Sequence, residues 1–353
     1  MSEKVLMKGN EALAEAAIRS GCHHFFGYPI TPQTELAAYM AKKLPKIGGV
    51  FLQAESEIAA INMVLGASST GTRAMTSSSS PGISLKTEGI SYIAGSDLPC
   101  VIINIQRGGP GLGGIQPSQA DYYQATKAPG HGDLHALVLA PSSVQEMVDY
   151  TSLAFDLADI YRMPVIILGD GVLGQMMEPV LFKDEAKRVL PEKTWATTGT
   201  GNKRERNIVT SLFLNPKALE DRVKERFNRY EVIKEKEVLV ECDNDQNSDI
   251  VLVSYGATAR IVKSAIKLAR DKGISVGNIR PITLWPFPTK EIEAAAKTAK
   301  AFLTVEMSMG QMVDDVRLAV NGACPVHFYG RTGGVIPTPN EILEEIIKIG
   351  GTL

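Results

Sequence analysis

Short apolar runs alternate with amphipathic segments over the first 180 residues of the chain. Runs such as PCVIINIQR and MPVIILGDG are almost continuously apolar, as expected of strands that are covered on both faces. Between such runs, segments such as TELAAYMAKKL and SVQEMVDYTSLAFDLADIYR carry apolar residues at helical spacing. This alternation of strands and helices predicts a parallel α/β sheet.

The pattern changes between residues 183 and 247, where charged residues become frequent and the apolar periodicity weakens. Within this stretch, KALEDRVKERFNRYEVIKEKE predicts one exposed helix. SDIVLVSYG then opens a second alternating series, which predicts a smaller parallel α/β domain of about four strands. We therefore expect an α/β protein with a first domain at 1–182, a charged connecting segment at 183–247 and a second domain at 248–353.

Composition is that of an ordinary globular protein. The 353 residues are 44% hydrophobic and 22% charged, and the formal net charge of −2 gives no strong field toward nucleic acid or an anionic membrane. No apolar run reaches the length of roughly 18 residues that spans a membrane, and the N-terminal residues do not follow the pattern of a secretory signal. We expect a cytoplasmic protein that binds neither nucleic acid nor membrane.

The four cysteines, Cys22, Cys100, Cys242 and Cys324, lie far apart in the sequence. The CxxC spacings of zinc and iron–sulfur sites are therefore missing, and free thiols in a reducing compartment are expected. By any local motif, this chain cannot hold a conventional iron–sulfur cluster.

Four segments follow predicted strands, at the edge where open α/β sheets bind ligands. They are YPITP (28–32), QAESE (53–57), TSSSSPG (76–82) and RGGPGLGG (107–114). In this order and spacing they resemble the alpha subunit of 2-oxoacid:ferredoxin oxidoreductases, over nearly the whole chain. The segments FLQAESE, TSSSSPGISLK and IQPSQADY most resemble those of the branched-chain (2-oxoisovalerate) type of this family. The resemblance implies a thiamine-diphosphate-binding fold (the pyrimidine-binding domain) followed by a transketolase C-terminal-like domain.

The resemblance also implies that a glutamate of QAESE touches N1′ of the aminopyrimidine ring of thiamine diphosphate and thereby activates that cofactor. In many thiamine-dependent enzymes this glutamate precedes a helical glycine by nine residues. Gly66 lies nine residues after Glu57 and eleven after Glu55. We choose Glu57 as the catalytic residue, with Glu55 as its rival. The alternative is that Glu57 only complements the dipole of its helix.

For substrate binding, the resemblance assigns Arg107 to the carboxylate of the 2-oxoacid, because a guanidinium can hold a carboxylate bidentately. It assigns the Thr31 hydroxyl to the same substrate. The alternatives are a surface ion pair for Arg107 and a plain turn hydroxyl for Thr31. Cofactor contacts are expected from Glu57 and from two of the loops, namely from Pro29, Ile30, Ser79 and Ser80. The four serines from Ser77 to Ser80 are also typical of a helix N-cap.

Three further patterns are weaker. Residues 109–114 match the GxGxxG pattern of dinucleotide-binding sites. However, Pro110 lies inside the motif, and no strand ending in an acid follows about 20 residues later. Residues 169–171 begin like the diphosphate–magnesium motif of thiamine enzymes, but the nearest candidate asparagine, Asn202, lies too far along the chain. The loop 131–135 contains two histidines and an aspartate, for which a polar loop is favoured over a metal site. We expect no metal site in this chain.

The chain thus contains a candidate residue for activating thiamine diphosphate but lacks a diphosphate–magnesium motif and cluster cysteines. The resemblance implies that a beta subunit shares the cofactor and carries the diphosphate–magnesium site, and that a ferredoxin-like subunit carries the iron–sulfur clusters. The implied reaction is oxidative decarboxylation of a branched-chain 2-oxoacid with coenzyme A, with electrons passed to ferredoxin. Alternatives are an oxoglutarate- or pyruvate-specific member, a non-redox thiamine enzyme subunit and a non-catalytic scaffold.

Overall fold

The computed structural model describes residues 4–183, 188–243 and 245–351. Its first part contains, in chain order, β1 (Val5–Lys8), α1 (Gly9–Arg19), β2 (His24–Gly27), α2 (Thr34–Lys43), β3 (Val50–Gln53), α3 (Glu57–Ser69), β4 (Ala74–Ser78), α4 (Pro81–Gly95), β5 (Cys100–Gln106), α5 (Tyr122–Thr126), β6 (Leu137–Leu139), α6 (Val144–Tyr161), β7 (Pro164–Asp170), α7 (Gly171–Gln175) and β8 (Met177–Val180). Its second part contains α8 (Pro216–Lys236), β9 (Val240–Asp243), β10 (Ile250–Val253), α9 (Gly256–Asp271), β11 (Val276–Pro281), β12 (Thr283–Trp285), α10 (Thr289–Ala296), β13 (Ala301–Glu306), α11 (Met312–Val320), β14 (Val326–Gly330) and α12 (Pro339–Gly350). Two 3-10 helices lie at Leu44–Ile47 and Asp245–Asn247.

The larger sheet has seven strands in the order β12-β6-β7-β5-β4-β2-β3. All neighbouring pairs between β6 and β3 are parallel, which confirms the predicted parallel α/β sheet. Every residue of β5 is buried, as its continuous apolar run indicates. The parallel order brings the carboxyl ends of β5, β4, β2 and β3 to one edge of the sheet, and the four motif loops follow those ends.

The smaller sheet has five strands in the order β14-β13-β10-β11-β9. β9 is antiparallel to β11 and comes from the end of the charged segment, so the expected count of about four strands was low by one. The physical reason is the position of β9 at the sheet edge, where its residues stay partly or fully exposed and carry no apolar pattern. β1 and β8 form a separate antiparallel ribbon.

The two parts of the chain share one apolar core, which runs from residues of the larger sheet to residues of β10, β11 and β13. β12 strengthens this contact, because it pairs antiparallel with β6 at the edge of the larger sheet. Trp285 of β12 stacks on His135, with ring centroids 4.6 Å apart. Gln119 joins the same parts through its side chain, which donates to Tyr255 O at 2.8 Å and accepts from Met307 N at 3.0 Å. The loops after β5 are therefore held between both sheets.

The predicted exposed helix of the connecting segment is confirmed as α8. Arg226, Tyr230 and Ile233 form its buried face, and most of its other residues are exposed. Of the helices in the described ranges, none combines the length and apolar character that a membrane span requires.

Candidate active site

Glu57 is the first residue of α3 and lies at the carboxyl edge of the larger sheet. Ser56 caps the helix, since its Oγ accepts from Ala59 N at 3.2 Å. The cap fixes the register of the first turn, so that the Glu57 side chain is only 6% exposed while Glu55 stays exposed outside the helix. The two candidate glutamates thus have opposite environments.

Gly82, the second residue of α4, lies directly against the Glu57 carboxyl group. A Cβ added at Gly82 would fall 2.5 Å from Glu57 Oε1 and closer still to Ser78 Oγ. A side chain at this position would therefore occupy the space of both groups. At Gly66, by contrast, an added Cβ would meet nothing within 4 Å. Among the residues that the structure describes, the nine-residue offset from Glu57 to Gly66 therefore has no packing basis.

The serine turn between β4 and α4 contributes buried hydroxyl groups. Ser78 Oγ and Ser79 Oγ are fully buried and, among the residues the structure describes, have no hydrogen-bond partner. Ser77 Oγ donates to Gln33 Oε1 at 2.6 Å, which ties the turn to the loop after β2. The turn therefore combines one anchored serine with two hydroxyls that are available to a ligand.

Ser80 occupies the N-cap position of α4 in a left-handed backbone conformation (φ 26°), and its side chain does not cap the helix. The expectation of a plain N-cap was therefore wrong for Ser80. Its hydroxyl instead donates to Asp121 Oδ2 at 2.6 Å and accepts from Arg107 N at 3.0 Å. Asn104 Nδ2 also donates to Asp121 Oδ2, at 2.9 Å. Burial raises the pKa of the Asp121 carboxyl, and the hydrogen bonds from Ser80 and Asn104 oppose that rise.

Arg107 follows β5 and is 8% exposed, so it does not form the surface ion pair considered as an alternative. Its Nη1 donates to Thr31 O at 3.0 Å and its Nη2 donates to Leu112 O at 3.2 Å. Its Nε is buried and, within the described ranges, lacks a partner. A guanidinium has five N–H donors, so Arg107 retains donors for a further acceptor.

The loop after β2 places Pro29 and Thr31 in exposed positions and Ile30 in a half-buried one. It meets Arg107 through the backbone carbonyl of Thr31 rather than through the threonine hydroxyl. The structure thus brings Thr31, Arg107 and Ser80 into one hydrogen-bonded chain. Glu57 lies against the same turn, at Ser78 and Gly82.

Sequence reasoning missed Asn104, Asp121 and Lys86. Asn104 is a polar residue inside an otherwise apolar strand, which was the available signal for a buried polar role. Asp121 belongs to the IQPSQADY segment, which carried part of the family resemblance but was assigned no site residue. Lys86 lies on the buried face of α4 and is 0% exposed, although a helical pattern assigns a lysine to solvent.

The weaker patterns have structural roles. Asp170 is the N-cap of α7, where its Oδ1 accepts from Val172 N at 2.8 Å and from Leu173 N at 3.2 Å, and burial raises its pKa to about 6. In the loop 131–135, His131 O accepts from Ser91 Oγ at 2.6 Å and His135 stacks on an aromatic ring. No group of three or more metal-ligand side chains suited to an ion occurs in the described part of the chain.

Replacing Gly82 with alanine should push the Glu57 carboxyl group and the Ser78 hydroxyl out of place, because the new methyl group overlaps both. With Glu57 as the catalytic residue, the activity should fall by about 10- to 100-fold, as for a small misplacement of a reacting group. The stability loss should stay at roughly 1–3 kcal/mol. Steady-state kinetics and thermal melts measure the two effects. Gly350→Ala is the matched control, since its added Cβ would meet only Ile250 Cδ1, at 3.9 Å. Normal kinetics in Gly82→Ala would contradict the close approach.

Comparisons with known proteins find relatives of both parts of the chain. The family model described as "Pyruvate flavodoxin/ferredoxin oxidoreductase, thiamine diP-bdg" matches residues 15–237, and the one described as "Pyruvate:ferredoxin oxidoreductase core domain II" matches residues 248–342. The ketoisovalerate oxidoreductase subunit VorB of Methanothermobacter marburgensis is 48% identical over 346 residues, which cover 98% of each chain. The 2-oxoglutarate synthase subunit KorA of Methanothermobacter thermautotrophicus is 38% identical, covering 99% of this chain and 100% of that subunit.

Solved structures show the same fold. A 2-oxoglutarate:ferredoxin oxidoreductase from Magnetococcus marinus, with 2-oxoglutarate, coenzyme A and succinyl-CoA bound, superposes with a TM-score of 0.87 at 30% identity. The match covers 98% of this chain and 65% of that one, so this chain spans somewhat less than two thirds of that protein. A split-gene transketolase matches with a TM-score of 0.60 at 14% identity, which shows a shared fold alone. With both halves matched and a full-length relative 48% identical, this chain belongs to the 2-oxoacid:ferredoxin oxidoreductase family, as an alpha-type subunit of these oxidoreductases.

Proposed function

We propose that this chain activates thiamine diphosphate within an oxidoreductase complex, with Glu57 as the catalytic residue. The observation that carries the proposal is the environment of Glu57, a buried carboxyl group at the carboxyl edge of the sheet, beside Gly82 and the serine turn. In this environment Glu57 can exchange a hydrogen bond and a proton with N1′ of an aminopyrimidine ring. The exposed Glu55 has no comparable enclosure, which favours Glu57 over its rival.

The side chains around Glu57 fit the pyrimidine half of the cofactor. The buried hydroxyls of Ser78 and Ser79 find no acceptor or donor elsewhere in the described chain, and buried polar groups of this kind are normally satisfied by a ligand or by water. We expect Ser79 and Ser80, with Pro29 and Ile30 from the neighbouring loop, to contact the ring and its surroundings. When bound, thiamine diphosphate supplies the carbon nucleophile that attacks the 2-oxoacid carbonyl.

A partner subunit is expected to cover the Glu57 side of the molecule. β3 is the edge strand of the larger sheet, and its Val50 and Leu52 are exposed together with Ile58 of α3 and Leu85 of α4. Exposed apolar side chains on several neighbouring elements are typical of an interaction surface. We propose that a beta subunit binds here and carries the diphosphate–magnesium site, and that a ferredoxin-like subunit carries the iron–sulfur clusters. The complex would work in the cytoplasm.

The proposed substrate is a branched-chain 2-oxoacid. The VorB relatives are named for ketoisovalerate, and the loop after Arg107 carries the exposed apolar side chains Leu112 and Ile115. A 2-oxoglutarate enzyme, as the KorA relatives are named, would need a second cation for the distal carboxylate. Residues 108–116 contain no lysine or arginine, which favours the branched-chain acid.

We also propose that the chain consists of two domains joined by a connecting segment. Residues 1–182 would form the pyrimidine-binding domain, 183–247 the connecting segment and 248–353 the transketolase C-terminal-like domain. The family models support the boundary at 248, since one ends at residue 237 and the next begins at residue 248, whereas the first model runs across the proposed boundary at 182.

Purification of the complex from its native host tests the function and the substrate together. We expect iron–sulfur subunits to co-elute with this chain, and turnover with methyl viologen to require coenzyme A and thiamine diphosphate. The kcat/KM for 2-oxoisovalerate should exceed that for 2-oxoglutarate by at least about tenfold, since a pocket for an apolar side chain would have to bury a second carboxylate. A preference for 2-oxoglutarate would overturn the substrate assignment. Decarboxylation without any electron acceptor would indicate a non-redox thiamine enzyme.

A further inference from the structure

Lys86 is a fully buried lysine in the middle of α4. Its side chain is 0% exposed, and its Nζ has no hydrogen-bond partner among the residues described. A buried ammonium group without hydrogen bonds is unfavourable for the folded state, so a lysine rarely occupies such a position without a role.

The helix geometry directs Lys86 toward Glu57. Lys86 follows Gly82 by four residues, so the two positions lie on the same face of α4. Side chains in a helix lean toward its N-terminus, so the Lys86 side chain runs back over the turn that contains Gly82. Gly82 has no side chain to fill this space, and the Glu57 carboxyl group lies against it.

The electrostatic interaction between Lys86 and Glu57 agrees with this geometry. Burial lowers the pKa of Lys86 from 10.5 to about 8, and the carboxylate of Glu57 opposes that shift. Glu57 on α3 is the charged group that acts on Lys86, and β4 contributes the neutral hydroxyl of Ser78 beside Gly82. Burial thus disfavours the charged form of the amine, and the Glu57 carboxyl group favours it.

We propose that Lys86 is a positioning residue for the reaction, whose buried amine acts electrostatically on the carboxyl group of Glu57 and so favours the orientation that meets the cofactor. The proposal rests on the proposed function of Glu57. Lys86 approaches Glu57 from within α4, so it need not touch the cofactor or the 2-oxoacid. Its effect on turnover should then pass entirely through Glu57.

A stability measurement separates this role from a merely structural one. The pKa of Lys86 in the folded chain, about 8, lies below its ordinary value of 10.5, so the charged amine destabilises the folded state at pH 7 and this penalty fades as the pH rises above 8. Lys86→Met keeps an unbranched side chain, one atom shorter, and removes the charge. We expect Lys86→Met to have a Tm at pH 7 equal to or above that of the wild type, with a smaller difference at pH 9.5.

The kinetic test uses the complex purified with its partner subunits. Lys86→Met should lower kcat by about 10- to 100-fold, as for misplacement of a reacting group, and leave the KM for the 2-oxoacid within about twofold. Lys42→Met, the same change at an exposed lysine of α2, should leave kcat unchanged. The double variant Lys86→Met with Glu57→Gln should be no slower than Glu57→Gln alone, because both changes affect one group.

The results that would contradict the positioning role can be told apart from one another. A normal kcat in Lys86→Met, a lower Tm at pH 7, or a double variant slower than Glu57→Gln by the full Lys86→Met factor would each overturn the positioning role. If Glu57→Gln itself stays active, the proposed function fails as well. If Glu57→Gln is inactive and Lys86→Met has normal kinetics, only the inference about Lys86 fails.

Discussion

Glu57→Gln is expected to lower kcat of the complex by about 10²- to 10⁴-fold, the usual contribution of a positioned acid or base. Glutamine keeps the size of the side chain and can still hydrogen-bond to N1′, but it cannot exchange a proton there. The helix should remain intact, since Ser56 and not Glu57 accepts from the backbone N–H of Ala59. Steady-state turnover with methyl viologen, with gel filtration of the same preparation, measures the loss of activity and the retention of assembly.

Glu55→Gln is the matched control for this experiment, because it makes the same chemical change two residues away at an exposed position. We expect its kcat to stay within about twofold of the wild type, as for surface substitutions away from a site. Loss of activity in Glu55→Gln with normal activity in Glu57→Gln would transfer the catalytic assignment to the rival. Loss of assembly in Glu57→Gln would show instead that the carboxylate is needed for the complex to form.

The apolar runs of the sequence predicted the larger sheet because its parallel strands are buried on both faces, where the pattern is strongest. From parallel strands it follows that the loops after β2, β3, β4 and β5 meet at one edge. The choice of Glu57 over Glu55 was made from the nine-residue offset to Gly66, where the structure shows no close contact. The local feature that separates the two residues is the cap at Ser56, which begins the helix at Glu57. These features depend on residues that are close together in the sequence.

The remaining features depend on contacts between distant segments. Lys86 is buried because α3 brings Glu57 against the glycine one turn before it, and the sequence of α4 alone does not contain that contact. Asp121 joins the site through Ser80, 41 residues earlier, in a turn with a positive φ that no residue-type preference predicts for serine. β12 has only three residues, too few for an alternating pattern, so its pairing with β6 reveals it. These three features therefore depend on contacts between distant segments, which the pattern of apolar and polar residues does not contain.

Arg107→Met is expected to lower kcat/KM by roughly 30- to 1,000-fold for every 2-oxoacid that the complex uses. The loss corresponds to about 2–4 kcal/mol, the range for truncating one partner of a buried, hydrogen-bonded charge pair. Because the proposed contact is to the carboxylate that all 2-oxoacids share, the factor should be similar for substrates with different side chains. Arg107→Lys should fall between the wild type and Arg107→Met, since lysine keeps the charge but loses the planar fork. A series of 2-oxoacids assayed at subsaturating concentration measures the factors.

Arg260→Met is the matched control for Arg107→Met. Arg260 also donates to a backbone carbonyl, that of Ser142 at 3.2 Å, but it lies on α9 beside Glu178 and outside the candidate site. Its kcat/KM should stay within about twofold of the wild type. A loss in Arg107→Met that is large for one 2-oxoacid and small for another would assign Arg107 to the substrate side chain instead. An unchanged kcat/KM would mean that its hydrogen bonds to Thr31 and Leu112 only hold the two loops together.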